Sequence, residues 1–310
     1  MTERNTAVSP EQLAQWERHW ITDMGAWMPA KGAVLRGRNI FTDMADTSWM
    51  GYLMFIITGR DFSPEQIRLF EGMWCLAANF PDPRLWNNRM AALAATARST
   101  ASLGVASGIA TSDSIVFGMR PGLASFNFLT DLQRRRVQGE SLDAMLQAAL
   151  SAPVKGKPSS GKNRQVARVP GYGRPIDARD ERLAPLRALA HRLGLDQGPH
   201  LALADQIEQS LASLGRPLKM NAVTVIGSLC ADQDLTPKQY YHYLILIFSA
   251  GMVACALDGI NQPEGAFFPL RCDHIHYVGA PPRRWGDLDT RPDIGGNDDG
   301  DAKGIADKEH

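Results

Sequence analysis

The chain has 310 residues, 44% of them hydrophobic and 21% charged, which suits one large core or two unequal lobes and excludes a disordered or fibrous chain. Its 33 basic residues balance 33 acidic ones, so no overall field favours nucleic acid or an anionic membrane surface as a partner. The N-terminal M-T-E-R-N-T-A-V-S-P lacks the basic and then apolar run of a secretory signal, and Cys75, Cys230, Cys255 and Cys272 form no C-x-x-C pair, so the expectation is a soluble cytoplasmic protein with reduced thiols.

Residues 1–32 read as an N-terminal helical extension. Ser9-Pro10-Glu11-Gln12 opens it with a capping hydroxyl, a proline at the first helical position and a glutamine three residues after the cap. The same pattern recurs at Ser63-Pro64-Glu65-Gln66 and at Thr236-Pro237-Lys238-Gln239, each predicting a helix start. Residues 33–152 read as the first part of a large lobe. Strand alternation is scarce, the best case being Val34 to Phe41, whereas Ile67, Leu69, Phe70, Met73, Trp74 and Ala77 recur at helical spacing. The fold class is therefore all-α.

From Ala91 to Ala110 most residues are Ala, Ser, Thr or Gly, Arg98 is the only charge, and Gly104 and Gly108 stand four apart. Such residues let helix backbones approach closely, which predicts a central helix pair packed on another helix of this chain or of a second copy; an ordinary alanine-rich core helix is the alternative. Residues 153–168 form a basic loop without an acid. Residues 169–240 read as a small lobe, with Leu183, Leu186, Leu189, Ala190 and Leu193 on one helical face. Residues 241–285 return to the large lobe. Their apolar run from Leu244 to Leu257 is shorter than the roughly 20 residues that span a bilayer and predicts a fully buried helix. Residues 286–310 are expected to be a disordered acidic tail.

Five segments, taken in order, resemble the citrate synthase superfamily, and its short citryl-CoA lyase-like members more than full-length citrate synthase. They are R-G-R-N-I-F with S-W-M-G-Y-L-M-F-I-I-T-G-R ending at Arg60, D-P-R-L-W-N-N-R from Asp82, V-P-G-Y-G-R-P from Val169, R-P-L-K-M-N-A-V from Arg216 and H-Y-V-G-A-P-P-R from His276. The resemblance implies a helical subunit with a large and a smaller lobe, a homodimer, and an acyl-CoA site in the cleft between the lobes.

Chemistry in that family enolises an acyl thioester and adds it to a keto acid, or runs the reverse cleavage. It uses a carboxylate base, a histidine at the thioester oxygen and a second histidine at the acceptor carbonyl. In this chain Arg174 stands where the loop histidine belongs, Val223 where the base follows Asn221, and the other histidine position falls near Phe117-Gly118. No histidine lies between His19 and His191.

The resemblance thus implies Arg174 as an electrostatic stabiliser of developing charge, with Asp177 and His276 as further catalytic candidates. Arg182, from an altered D-P-R motif, Arg120, Asn221 and Phe117 are its substrate-binding candidates. Lys162, Arg164 and Arg168, followed by Gly171, Tyr172 and Gly173, are its candidates for the phosphates of a coenzyme A thioester. Each has a plainer reading: acids at a helix start, a solvated insertion, a structural histidine pair. His274 and His276, with Asp273 and Cys272, lack a further ligand pair at metal-site spacing, so no metal is expected. Two functions remain open. One is a divergent enzyme that makes or breaks a carbon-carbon bond beside an acyl thioester; the other is an inactive homologue acting as a ligand-binding or scaffold subunit. A cleft with converging Arg, His and acid groups speaks for the first, and an apolar cleft for the second.

Overall fold

The structure is a computed structural model that describes residues 9–17, 19–151, 169–173, 180–266 and 271–281. The chain divides into two compact units, Met1–Phe267 and Phe268–His310. In the second, the described residues form a single 3-10 turn, Cys272–His274, in an exposed segment.

The first unit opens with α1 (Pro10–Trp16), followed by a small antiparallel sheet of β1 (Gly25–Met28), β2 (Gly32–Leu35) and β3 (Arg38–Asn39) in that order. The expected strand from Val34 to Phe41 is therefore broken. Arg36 and Gly37 take positive φ (46° and 84°) and turn the chain between β2 and β3, and Asn39 then caps the short α2 (Ile40–Asp43). Beyond it the described chain is helical: α3 (Trp49–Thr58), α4 (Pro64–Leu76), α5 (Trp86–Thr96), α6 (Ala101–Ser112), α7 (Met119–Val137), α8 (Leu142–Ser151), α9 (Leu183–Arg192), α10 (Pro199–Ser213), α11 (Ala222–Ala231), α12 (Pro237–Leu244) and α13 (Ser249–Ile260). The helix starts predicted at Ser63 and Thr236 carry reciprocal capping boxes with Gln66 and Gln239, which satisfy backbone donors that a helix leaves orphaned.

The main core joins α3, α4 and α7 to α12. At its centre Phe126 stacks on Tyr240 with ring centroids 4.5 Å apart, and the buried Tyr243 hydroxyl donates to the Phe70 carbonyl at 2.7 Å. A separate layer is made by α5, α6 and α13, and here the small residues act as the sequence predicts. A Cβ at Gly108 would stand 2.6 Å from Met252 Sδ and 2.9 Å from the Asn87 carbonyl, and one at Gly259 would stand 2.8 Å from Ala95 Cβ. The third helix of this close packing is α13 of the same chain.

The Leu244 to Leu257 run is not one buried helix. A turn at residues 245–248 separates α12 from α13, and Leu257 is 60% exposed on the outer face of α13, with Val253 and Ile260 beside it. By length and composition the segment Pro237–Ile260 is long and apolar enough to cross a membrane, and 44% of its most apolar window is buried within the fold. Of the cysteines, Cys75 is exposed, Cys230 and Cys255 are buried, and all three are free thiols.

Candidate functional site

A cavity of about 370 Å³ lies in the first unit where the N-terminal ends of α7 and α11 meet α12 and the turn after it. Its position depends on a short pairing between two distant segments. Tyr172 bridges Met220, the Gly173 N–H donates to the Lys219 carbonyl at 2.6 Å, and the Asn221 N–H donates to the Gly171 carbonyl at 3.0 Å. Asn221 completes the link: its side-chain oxygen accepts from the Val223 N–H at the start of α11, and its Nδ2 donates to the Gly173 carbonyl at 3.2 Å. Gly171 is needed for this arrangement. At φ 85° a Cβ would lie 2.0 Å from Thr224 Oγ1 and 2.2 Å from Ser125 Oγ.

One wall of the cavity carries Asp180, Glu181 and Arg182. The Asp180 side chain has no exposed surface. Arg182 donates to it through Nε at 2.8 Å and Nη2 at 2.7 Å, and the Ala222 N–H at the first turn of α11 donates at 2.8 Å. Burial acts to raise the carboxyl pKa, but the Arg182 fork and the backbone donors outweigh it and hold Asp180 below the usual carboxylate range. Asp180 is thereby an ionised anchor that orients the guanidinium, whose own side chain is 25% exposed. The remaining Nη1 of Arg182 makes no hydrogen bond among the described residues.

The rest of the wall is apolar. Val223 and Ile226 of α11 face Leu244, Ile247 and Phe248 of α12 and its turn. Trp86 is fixed by its Nε1–H bond to the Thr111 carbonyl (2.9 Å) and tilts against Phe117 at 5.4 Å. Phe117 is brought there by a tight loop that closes on a bridge between Asp113 and Gly118. Gly118 has φ 96°, and a Cβ on it would meet the Ser112 carbonyl at 2.1 Å. Deepest in the lining is Tyr240, fully buried, whose hydroxyl lies beside Gly122 and Gly227 and has no hydrogen-bond partner among the described residues. Among the described residues no histidine lines the cavity, and no group of three or more His, Cys, Asp or Glu is placed to hold a metal.

Of the sequence candidates, Arg182, Asn221, Phe117 and Gly173 meet at this cavity, with Val223 facing it. Tyr172 is different from expectation. It is 8% exposed in the main core and its hydroxyl donates to the Ala204 carbonyl at 2.8 Å, so its ring supports the loop from beneath and offers nothing to a cofactor. Gly171 likewise serves internal packing against Ser125 and Thr224. Arg120 is outside the lining: its guanidinium is engaged by Asp113 through Nε (2.8 Å) and Nη2 (3.1 Å), and Tyr241 Oη donates to the same carboxylate at 3.2 Å. Its sequence position beside Pro121 and Gly122, which do line the cavity, does not reveal that the side chain points elsewhere. His276 belongs to the second compact unit, where it is exposed. Arg174, Asp177, Lys162, Arg164 and Arg168 lie outside the described residues.

Two site residues carried no strong sequence signal. Asp180 opens the altered D-P-R motif that brought Arg182 forward, but nothing in that motif reveals its Ala222 contact across 42 residues. Tyr240 reads as one more aromatic on a core helix.

No family model matches the chain, and no curated protein matches its sequence. Solved structures do. Citryl-CoA lyase from Hydrogenobacter thermophilus superposes with a TM-score of 0.70 at 18% identity, over 86% of this chain and 96% of that one. ATP citrate lyase from Methanothrix soehngenii, solved with citrate and coenzyme A, gives 0.65 at 15% identity over 91% of this chain, which spans 46% of that enzyme's length. A citrate synthase from Thermoplasma acidophilum, solved with carboxymethyl coenzyme A and oxaloacetate, gives 0.56 at 15% identity over 78% of this chain and 60% of that one. This chain has the citrate synthase fold, as the resemblance from about Val34 to Arg283 implies.

Proposed function

We propose that the chain is a divergent member of the citrate synthase superfamily that binds an acyl thioester, or the carboxylate partner of one, in this cavity, with Arg182 as carboxylate anchor and without the family's usual acid and base. The observation that carries this reading is the contrast within one wall. The buried Asp180–Arg182 fork is kept, while Val223 presents methyl groups where the resemblance expects the base. A lost general base costs about 10² to 10⁴ in rate, and Asp180 is poorly suited to replace it: its carboxylate is engaged by Arg182 and Ala222, and its pKa is held below the usual carboxylate range.

The resemblance and the ligands of the structural neighbours make a coenzyme A thioester the first ligand to try. The resemblance also makes a homodimer the expected assembly, with the exposed Leu93, Leu103, Val253 and Leu257 of the α5, α6 and α13 layer as the surface to pair. A second reading has one observation in its favour. Glu181 lines the cavity beside Arg182, so an acid is present that can take a proton if carbon-carbon bond formation or cleavage runs on a non-standard residue set with Arg174.

Calorimetric titration of the full chain with coenzyme A, acetyl-CoA and citryl-CoA tests the first reading. Micromolar binding that weakens at least tenfold in Arg182→Lys is the expected result, because Lys cannot fork onto two carboxylates; no heat with any thioester or carboxylate refutes it. Release of the coenzyme A thiol during incubation with thioester and a keto acid, lost in Glu181→Gln, moves the assignment to the second reading.

A further inference from the structure

We infer that Glu208, which lies on α10 outside the cavity, is a positioning residue for the cavity wall: by accepting the Met220 N–H it holds the segment through which Gly173, Asn221 and Val223 are presented to a ligand. The inference rests on the acyl-ligand reading above for what is bound, and adds a residue that this reading does not use.

The paired segments 171–173 and 219–221 are both fastened to α10, where Ala204 and Glu208 stand one helical turn apart. The Ala204 carbonyl accepts from the Tyr172 hydroxyl at 2.8 Å and fixes the first segment. Glu208 fixes the second with both carboxylate oxygens: Oε2 accepts from the Met220 N–H at 2.8 Å, and Oε1 accepts from Lys219 Nζ at 2.9 Å. Lys219 and Met220 carry the pairing itself, since the Lys219 carbonyl accepts from the Gly173 N–H and Met220 bridges Tyr172. Asn221 follows directly, with its side chain on Gly173 and Val223, and these three residues line the cavity. Glu208, Lys219 and Met220 are outside the lining.

The two contacts of Glu208 are unequal. The Lys219 side chain is 52% exposed, so water competes for its ammonium and the ion pair contributes little. Met220 is buried, and its N–H meets a charged acceptor, a stronger kind of hydrogen bond than a neutral one. Burial acts to raise the Glu208 pKa, but the Met220 N–H and then the Lys219 ammonium outweigh it and hold the carboxyl below its usual range. What the wall requires of position 208 is thus an acceptor for Met220, which glutamine supplies and alanine does not.

The test is amide hydrogen exchange of the full chain, native and with Glu208→Ala or Glu208→Gln, beside calorimetric titration with acetyl-CoA. Glu208→Ala should speed exchange at Gly173 and Asn221 by about tenfold, the size expected when a backbone N–H loses a charged acceptor. The amides of α4 and α12 should keep their native rates. Acetyl-CoA binding should weaken by about threefold or more, because the ligand must then order the wall itself. Glu208→Gln should restore most of both. Native rates at Gly173 and Asn221 in Glu208→Ala overturn the inference, and so does acceleration spread evenly over α4 and α12, which marks a general loss of stability. A glutamine that behaves like alanine overturns it as well. Where Glu208→Ala does not melt cooperatively, Lys219→Ala decides: it leaves the Met220 bond in place, so native rates at Gly173 and Asn221 are expected and local acceleration there refutes the assignment. If no thioester binds the native chain, the acyl-ligand reading falls and the exchange rates alone decide the role of Glu208.

Discussion

Two arginine–aspartate forks with nearly the same bond lengths stand a short distance apart in sequence from the same cavity and do different work. Arg120 holds Asp113 at 2.8 and 3.1 Å, with 56% and 27% of the side chains exposed, and Arg182 holds Asp180 at 2.8 and 2.7 Å, with 25% and none exposed. In the first pair water competes for both charges and little depends on the contact. In the second the carboxylate has no exposed surface, so losing the guanidinium removes much of what compensates its burial. Geometry alone therefore says little about what an ion pair is worth. Burial of the acid decides it.

The largest expected effect that tests this contrast is Arg182→Ala, which removes the guanidinium that offsets the burial of Asp180. It should cost about 3–5 kcal/mol in chemical denaturation, and most of that loss should be recovered by adding Asp180→Asn. A loss unchanged by the second substitution would mean that Arg182 contributes by packing.

Acid titration comes next. Both aspartates have pKa values held below the ordinary range, Asp180 against its burial and Asp113 chiefly through the Arg120 hydrogen bonds. A depressed folded-state pKa gives stability that is fully present above the unfolded value and is lost as pH falls through the folded one. Below about pH 4 the native chain should thus lose stability with a slope of up to about 1.4 kcal/mol per pH unit for each such group. Asp180→Asn should flatten this loss in melts between pH 5 and pH 2, and Asp113→Asn should flatten it less. Equal effects would erase the distinction between the two pairs.

A neutral counterpart sharpens it further. Tyr240 buries a hydroxyl with no partner among the described residues, so Tyr240→Phe should raise stability by about 1 kcal/mol in the unliganded protein. A fall in stability would reveal a partner, such as an ordered water, at that oxygen. The smallest effect belongs to Arg120→Ala, whose thermal midpoint should stay within the scatter of replicate melts.

The same contrast marks what was legible in the sequence. Features set by residues a few positions apart were readable: the capping boxes at Ser63 and Thr236, the close-packed Ala91 to Ala110 pair, and the all-helical class apart from one small sheet. The break in the Leu244 to Leu257 run was not, because an apolar stretch keeps its periodicity across a turn, and residues 245–248 contain neither glycine nor proline to announce one. At the site, sequence alone brought Arg182, Asn221 and Phe117 forward. It misjudged Tyr172, because a tyrosine between two glycines reads as a loop residue and nothing local reports that its hydroxyl reaches Ala204. It misplaced Arg120, because the side chain's direction is settled by Asp113 across the Gly118 loop. The altered D-P-R motif marked Asp180 with Arg182, but not the Ala222 contact 42 residues away.

The pairing of residues 171–173 with 219–221, latched by Asn221 at both Gly173 and Val223, has a kinetic consequence. A wall assembled before any ligand arrives loses little conformational entropy when one binds, so that part of the association cost is already met in the free protein. Encounter at this wall should then be a single step, with association rates that rise linearly with ligand concentration. Cutting the latch with Asn221→Ala should slow arrival more than it hastens departure.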